Sequence, residues 1–204
     1  MMREEPMPAR AYLIRHGDTE WSASGRHTGS TEIPLSQEGE SRARMLAPHL
    51  AGVKFDLVLV SPRHRAWQTC ELAGLGARAQ TDEELAEWNY GDYEGLKSSE
   101  ILQGRPDWCL FRDGCPGGES PEQVAARADR VIKGIRSLEG RVALFSHGHF
   151  GRVLGTRWID LPVIEGRKLL LDPASIGILG YEHDKASNPV LELWNYPPTG
   201  EPQA

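Results

Sequence analysis

The chain has 204 residues, 39% of them hydrophobic and 25% charged, and a formal net charge of −6. That length suffices for one sizeable core, and the composition is that of a globular protein. The acidity argues against a protein whose main task is holding nucleic acid, and no apolar run approaches the roughly 18 residues of a membrane span.

One domain is expected over residues 1–204, with a core of about 10–195 and tails at 1–9 and 196–204. The opening "MMREEPMPAR" has no apolar stretch of the kind a secretory signal needs, and Cys70, Cys109 and Cys115 are too few and too scattered for a disulfide framework or a Cys-x-x-Cys site. The cytoplasm is the expected compartment.

In chain order, "AYLI" at 11–14 is the first predicted strand, followed by a helix in "SQEGESRARMLAPHLAG". A second strand, "DLVLV" at 56–60, leads into a helix in "HRAWQTCELAGLG". Both helices carry a glycine near the end, a usual stop. The clearest helix starts at "SPEQ", with Ser120 as N-cap, Pro121 in the first turn and Gln123 closing a capping box. Val124, Ala128, Val131, Ile135 and Leu138 step by four and three and make its apolar stripe. The strand "RVALF" at 141–145 then precedes a helix after Gly148, with Val153, Leu154, Trp158 and Ile159 on its apolar side. "SIGILGY" at 175–181 and "VLELW" at 190–194 complete the strands. Strands alternating with helices predict an α/β fold, a three-layer α/β/α sandwich around a mainly parallel central sheet.

Ligands of such sheets bind beyond the carboxyl ends of the strands. The first strand runs out into Arg15-His16-Gly17, the second into "SPRHRA" with Arg63 and Arg65, and the third into Ser146-His147-Gly148-His149. Arginines and histidines delivered to one sheet edge suit a phosphate ester, whose charge and oxygen geometry match the donor fork of arginine. Amide groups at the start of the helix after Gly148 are expected to add to the anion site. A lone histidine after a strand is more often a turn residue, but two His-Gly pairs at equivalent exits weaken that reading. His49, His64 and His183 receive no role, Arg63 is read as a surface ion-pair residue, and His27 is open to either reading. No G-x-x-x-x-G-K-[ST] loop is present. A metal on His16, His147 and His149 is disfavoured, because the neighbouring arginines repel a cation.

Taken together, "LIRHGDTEW", "TG", "PLSQEGE", "SPRHRAWQT", "EWNYGDYEG" and "SHGH" resemble the histidine phosphatase superfamily from Tyr12 to about Tyr181. Its members include cofactor-independent phosphoglycerate mutases and many phosphatases. The motifs look most like the fungal sedoheptulose-1,7-bisphosphatase type and its bacterial relatives. The resemblance implies a phosphoglycerate mutase-like fold and no cofactor. It implies His16 as the nucleophile, with Arg15, Arg65 and His147 around the phosphate and Glu87 as proton donor. Thr28 and Gly29 match a loop touching the phosphate or the rest of the substrate. A neutral imidazole can attack phosphorus once its other nitrogen donates to an acceptor, plausibly a carbonyl near Gly17. Buried carboxyls can in turn supply the proton a leaving alkoxide needs.

Mutases of the family hold their substrate with adjacent arginines between the acid and the second His-Gly, whereas "WCLFRDGCPGGES" has only Arg112. Ser22 and His149 also stand where mutases carry Asn. The expected function is therefore metal-independent hydrolysis of phosphate monoesters of small sugars or sugar acids through a phosphohistidine. A mutase and a non-catalytic phospho-ligand binder are the alternatives. Ser22, Ser24, Tyr90, Arg112, Gly148 and His149 are candidate substrate contacts. The expected partner is a small phosphorylated sugar or sugar acid, with no nucleic acid and no membrane; a homo-oligomer is left open.

Overall fold

In the computed structural model, residues 8–198 are described. The elements run β1 (Arg10–Arg15), α1 (Glu20–Ser24), α2 (Gln37–Ala51), β2 (Leu57–Val60), α3 (His64–Leu72), β3 (Ala79–Thr81), α4 (Ser98–Gly104), α5 (Leu110–Asp113), α6 (Pro121–Arg136), β4 (Arg141–Ser146), α7 (Gly148–Trp158), β5 (Ile176–Tyr181) and β6 (Pro189–Tyr196). Six strands form one sheet in the order β3-β2-β4-β1-β5-β6. β1, β2, β3 and β4 are mutually parallel, while β5 and β6 add an antiparallel edge. This is an α/β fold with a mainly parallel sheet.

Alternation along the strands divides the core into two layers. Leu13 and Leu144 face a cluster with Val124, Ala128 and Val131 of α6 and Phe150, Leu154 and Trp158 of α7. Ile14 and Phe145, one residue on, face Leu46 and Leu50 of α2 and Ala66 and Cys70 of α3. The central strand β4 is buried from Val142 to Ser146, as expected where helices cover both faces.

Helix α6 has the capping box of Ser120 and Gln123 and Pro121 in its first turn. It stops at Arg136, however, so Leu138 lies beyond its stripe and is 39% exposed. Helix α3 ends at Leu72, before Gly74 turns the chain at φ 81°. The short strand β3 was not visible as an apolar run because its sequence is Ala-Gln-Thr and it pairs on one side only. Ala9 is fully buried and Tyr196 pairs with Ile176, so both belong to the packed body where tails were expected. The other expected tail positions from 1–7 and 199–204 lie outside the described residues. Among the described residues no helix is long and apolar enough to cross a membrane.

Candidate active site

Parallel pairing sets the geometry of the site. Arg15 on β1 is the partner of Ser146 on β4, so the next residues, His16 and His147, leave the sheet side by side. Their rings lie 5.1 Å apart, centroid to centroid. Val60 on β2 pairs with Phe145, which brings Ser61 beside them, and the Ser61 hydroxyl meets Nε2 of His147 at 2.6 Å. In the first turn of α3, Arg65 is fully buried beneath the same edge.

Backbone packing holds the His16 turn. The Gly17 N–H donates to Thr69 Oγ1, and a side chain at Gly17 would strike the Gly39 carbonyl oxygen at 2.4 Å. A Cβ on Gly39, in the first turn of α2, would meet the Asp18 oxygen at 2.0 Å. The close contact between these two glycines lets α2 lie directly against the turn. Gly39→Ala should therefore destabilise the protein by about 1–3 kcal/mol, as overpacking does; an unchanged thermal melting temperature would contradict this account of the turn.

His16 Nδ1 lies 2.7 Å from the Gly17 carbonyl oxygen, so Nδ1 carries the proton and Nε2 keeps its lone pair. Burial, reinforced by the charges of Arg65 and Arg15, pulls the His16 pKa well below its usual value. His147 is depressed in the same way, first by burial and then by Arg65. Both rings are thus neutral at ordinary pH. Nε2 of His147 is paired with the Ser61 hydroxyl, and its Nδ1 is a buried atom with no protein partner.

The guanidinium groups are anchored but not used up. Arg65 donates to the carbonyls of Thr31, Thr28 and Gly29, and Arg15 to that of Leu171 at 2.5 Å. In each the buried Nε is without a partner. Native proteins seldom leave buried polar atoms unmet, so these three nitrogens near His16 mark a candidate anion site. A cleft of about 310 Å³, at the small end of ligand pockets, is lined by Arg15 and His16, while Arg65 and His147 lie behind its wall.

Glu87 reaches this cleft from the loop after a short 3-10 turn, Glu83–Leu85. Its Oε1 accepts from the N–H of Trp88 and Phe150 at 2.8 and 2.7 Å, and its Oε2 from that of His149 at 3.0 Å. This corrects the sequence expectation for α7. Two of its first amides hold the carboxylate of Glu87 and are therefore committed to that residue.

Of the remaining expected contacts, Ser22, Thr28, Tyr90, Gly148 and His149 line the cleft. Ser22 also closes the capping box of α1 with Thr19. Burial pushes the Tyr90 phenol up, so it remains protonated, and its hydroxyl is hydrogen-bonded with His149 Nδ1 at 2.6 Å. Gly29 is not in the cleft wall: its N–H is held by the Glu94 carboxylate and its carbonyl by Arg65, so it supports Arg65. Arg112 is also displaced from the expected place. It is exposed, paired with Asp113 and bonded to the Asp107 carbonyl, because α5 turns that side outward. Ser24 is exposed and bonded within its own helix.

Sequence reasoning missed Arg26, Arg152 and Asp172 in the cleft wall and left His27 undecided. Arg152 lies over the Phe111 ring at 4.6 Å with its Nε on the Gly166 carbonyl. The available signal was its place one turn into the helix after His147, on the side of Gly148. His16, His147 and His149 do not converge, since the His149 ring turns to Tyr90. Among the described residues no group of three His, Cys, Asp or Glu is arranged to hold a metal ion.

The profile of the histidine phosphatase superfamily (branch 1) matches residues 11–197. An acid phosphatase of Mycobacterium tuberculosis is 44% identical over 92% of this chain and 94% of its own. The sedoheptulose 1,7-bisphosphatase of Saccharomyces cerevisiae is 31% identical over 90% of this chain and 92% of its own. Among solved structures, a mycobacterial glucosyl-3-phosphoglycerate phosphatase in complex with VO3 superposes with a TM-score of 0.80 at 28% identity, covering 92% of this chain and 98% of that one.

Proposed function

The chain belongs to the histidine phosphatase superfamily, and on that premise we propose that it hydrolyses phosphate monoesters of small sugars or sugar acids without a metal. One observation carries the reading: His147 Nδ1, Arg15 Nε and Arg65 Nε are buried nitrogens without a partner beside a neutral His16. That donor set fits a phosphoryl group.

In the proposed reaction the Nε2 lone pair of His16 attacks phosphorus and the bond to the leaving oxygen breaks. Arg15, Arg65 and His147 offset charge on the three equatorial oxygens, which is where most phosphoryl-transfer catalysis comes from. Glu87 gives its proton to the leaving alkoxide. Water then attacks the phosphohistidine, passes a proton to Glu87, and the P–N bond breaks to release phosphate.

Hydrolysis is preferred to mutase chemistry because Arg112, the one arginine in the segment where mutases keep a pair, faces solvent. The sugar-phosphate class is supported by the size of the cleft, by Arg152 in its wall as a cation for a second acidic group, and by the bisphosphatase and sugar-acid phosphatase among its relatives.

Phosphate release measured across a panel of sugar phosphates and sugar-acid phosphates, with a chelator present, tests the proposal. Turnover that survives the chelator is expected; loss in chelator overturns the metal-free mechanism. Faster formation of 2-phosphoglycerate than of phosphate, from 3-phosphoglycerate with a trace of the bisphosphate, overturns hydrolysis in favour of the mutase.

A further inference from the structure

We propose that Arg127 is a positioning residue for the proton-donating step: it holds the loop that carries Glu87, an inference that rests on Glu87 being the donor. Arg127 lies on α6, far from the strand exits in sequence, and does not line the phosphate cleft. It is nonetheless buried, at 8% exposure, and all its nitrogens are committed.

Its Nη1 donates to the carbonyls of Glu84 and Ala86 at 2.8 and 2.6 Å, and its Nη2 to that of Glu87 itself at 3.3 Å. Nε and Nη2 also meet the two Glu119 oxygens at 3.0 and 2.9 Å, in a fork. Glu119 extends the clamp beyond Glu87: its carboxylate accepts from the Asn89 N–H at 2.8 Å, and its carbonyl from the Trp88 indole at 3.0 Å. Between Glu84 and Asn89 the loop is thus bonded at Glu84, Ala86, Glu87 and Asn89 to one guanidinium or one carboxylate.

Arg127 reaches the other side of Glu87 as well. Its guanidinium carbon lies 4.2 Å from the centroid of the Phe150 ring, and the Phe150 N–H holds Glu87 Oε1. One buried side chain therefore braces the backbone beneath the acid and the residue that orients its carboxylate. A loop without regular secondary structure has few bonds of its own to keep a side chain in place. Small displacements of a reacting group can cost orders of magnitude in rate. A planar five-donor fork can meet three carbonyls and a carboxylate at once, which an ammonium cannot.

The role predicts a loss that depends on the leaving group. An alkoxide needs the Glu87 proton as the P–O bond breaks, whereas p-nitrophenolate is weakly basic and needs little help. Arg127→Lys should lower kcat/KM, which reports the steps up to departure of the leaving group, by about 10-fold for an alkyl phosphate such as a hexose phosphate and by less than about 2-fold for p-nitrophenyl phosphate. Glu119→Gln keeps the shape of the clamp and should show the same asymmetry at smaller size; it decides the matter if Arg127→Lys fails to fold by circular dichroism. Equal losses on both substrates in a folded variant, or none on the alkyl phosphate, overturn the proposal. Glu87→Gln is the reference: a folded Glu87→Gln protein whose kcat/KM falls equally for both substrates removes Glu87 as proton donor, and the role of Arg127 falls with it.

Discussion

His16→Ala is expected to reduce phosphate release by on the order of 10⁴-fold or more while the protein stays folded, because it removes the atom proposed to form the bond to phosphorus. Alanine fits the extended exit of β1, and the turn keeps its backbone bond from the His16 N–H to the Ser146 carbonyl. The anion site survives in Arg15, Arg65 and His147, so inorganic phosphate should still protect the variant against thermal unfolding. Intact-mass measurement after acid-free quenching should show a phosphate adduct on the wild type and none on the variant. Turnover by the variant above about one hundredth of the wild-type rate would remove His16 as nucleophile, since nucleophile deletions cost far more than that.

The second large effect is acid destabilisation. His16, His147 and His149 are held well below their usual value, chiefly by burial, and His27 is brought to about 4 for the same reason. In the unfolded chain each would take up a proton near pH 6.5. Unfolding therefore binds protons below that pH, and stability falls as pH falls from about 6.5 through the folded values. Each histidine contributes a slope of up to about 1.4 kcal/mol per pH unit, and His27 alone about 3 kcal/mol by pH 4. Asp113, brought down to about 2 mainly by Arg112, loses its contribution only at lower pH, so it does not blur this window.

Urea unfolding at pH 7.5 and pH 5 should show the loss as a lower midpoint. Calorimetry in buffers of different ionisation heat should show two or more protons taken up on unfolding at pH 5. A midpoint unchanged between the two pH values would mean that the buried rings are protonated in the folded protein, and the neutral nucleophile would be lost with that result.

The reading of His16 and His147 could begin from sequence because each follows an apolar run. "AYLI" and "RVALF" are legible as strands, and adjacent parallel strands in register deliver His16 and His147 together without any long-range detail. Arg65 is legible by its place just after β2, in a helix whose first turn must lie at the same sheet edge. Glu87 was reachable through its resemblance and its apolar neighbours Leu85 and Trp88, both fully buried. Its partners were not. Nothing in "EWNYGDYEG" announces that the amides of His149 and Phe150 are spent on that carboxylate, or that Arg127 supports the loop from α6, forty residues on in the chain.

The same limit explains the displaced residues. Arg112 and Gly29 have the right type and a plausible place in the chain, but the turn of a four-residue helix points one outward, and Glu94 and Arg65 occupy the other. Arg152 and Arg26 were overlooked although they reach the cleft. Period and punctuation determined by themselves the α/β alternation, the main strands and helices, and the delivery of arginine and histidine to one sheet edge, because these depend on neighbours a few residues apart. Which donors stay free for a phosphate, which amides serve Glu87 and which arginines line the cleft were decided only by the tertiary structure. Hydrogen-bond capacity is shared among groups that meet in space, and segments distant in sequence compete for it.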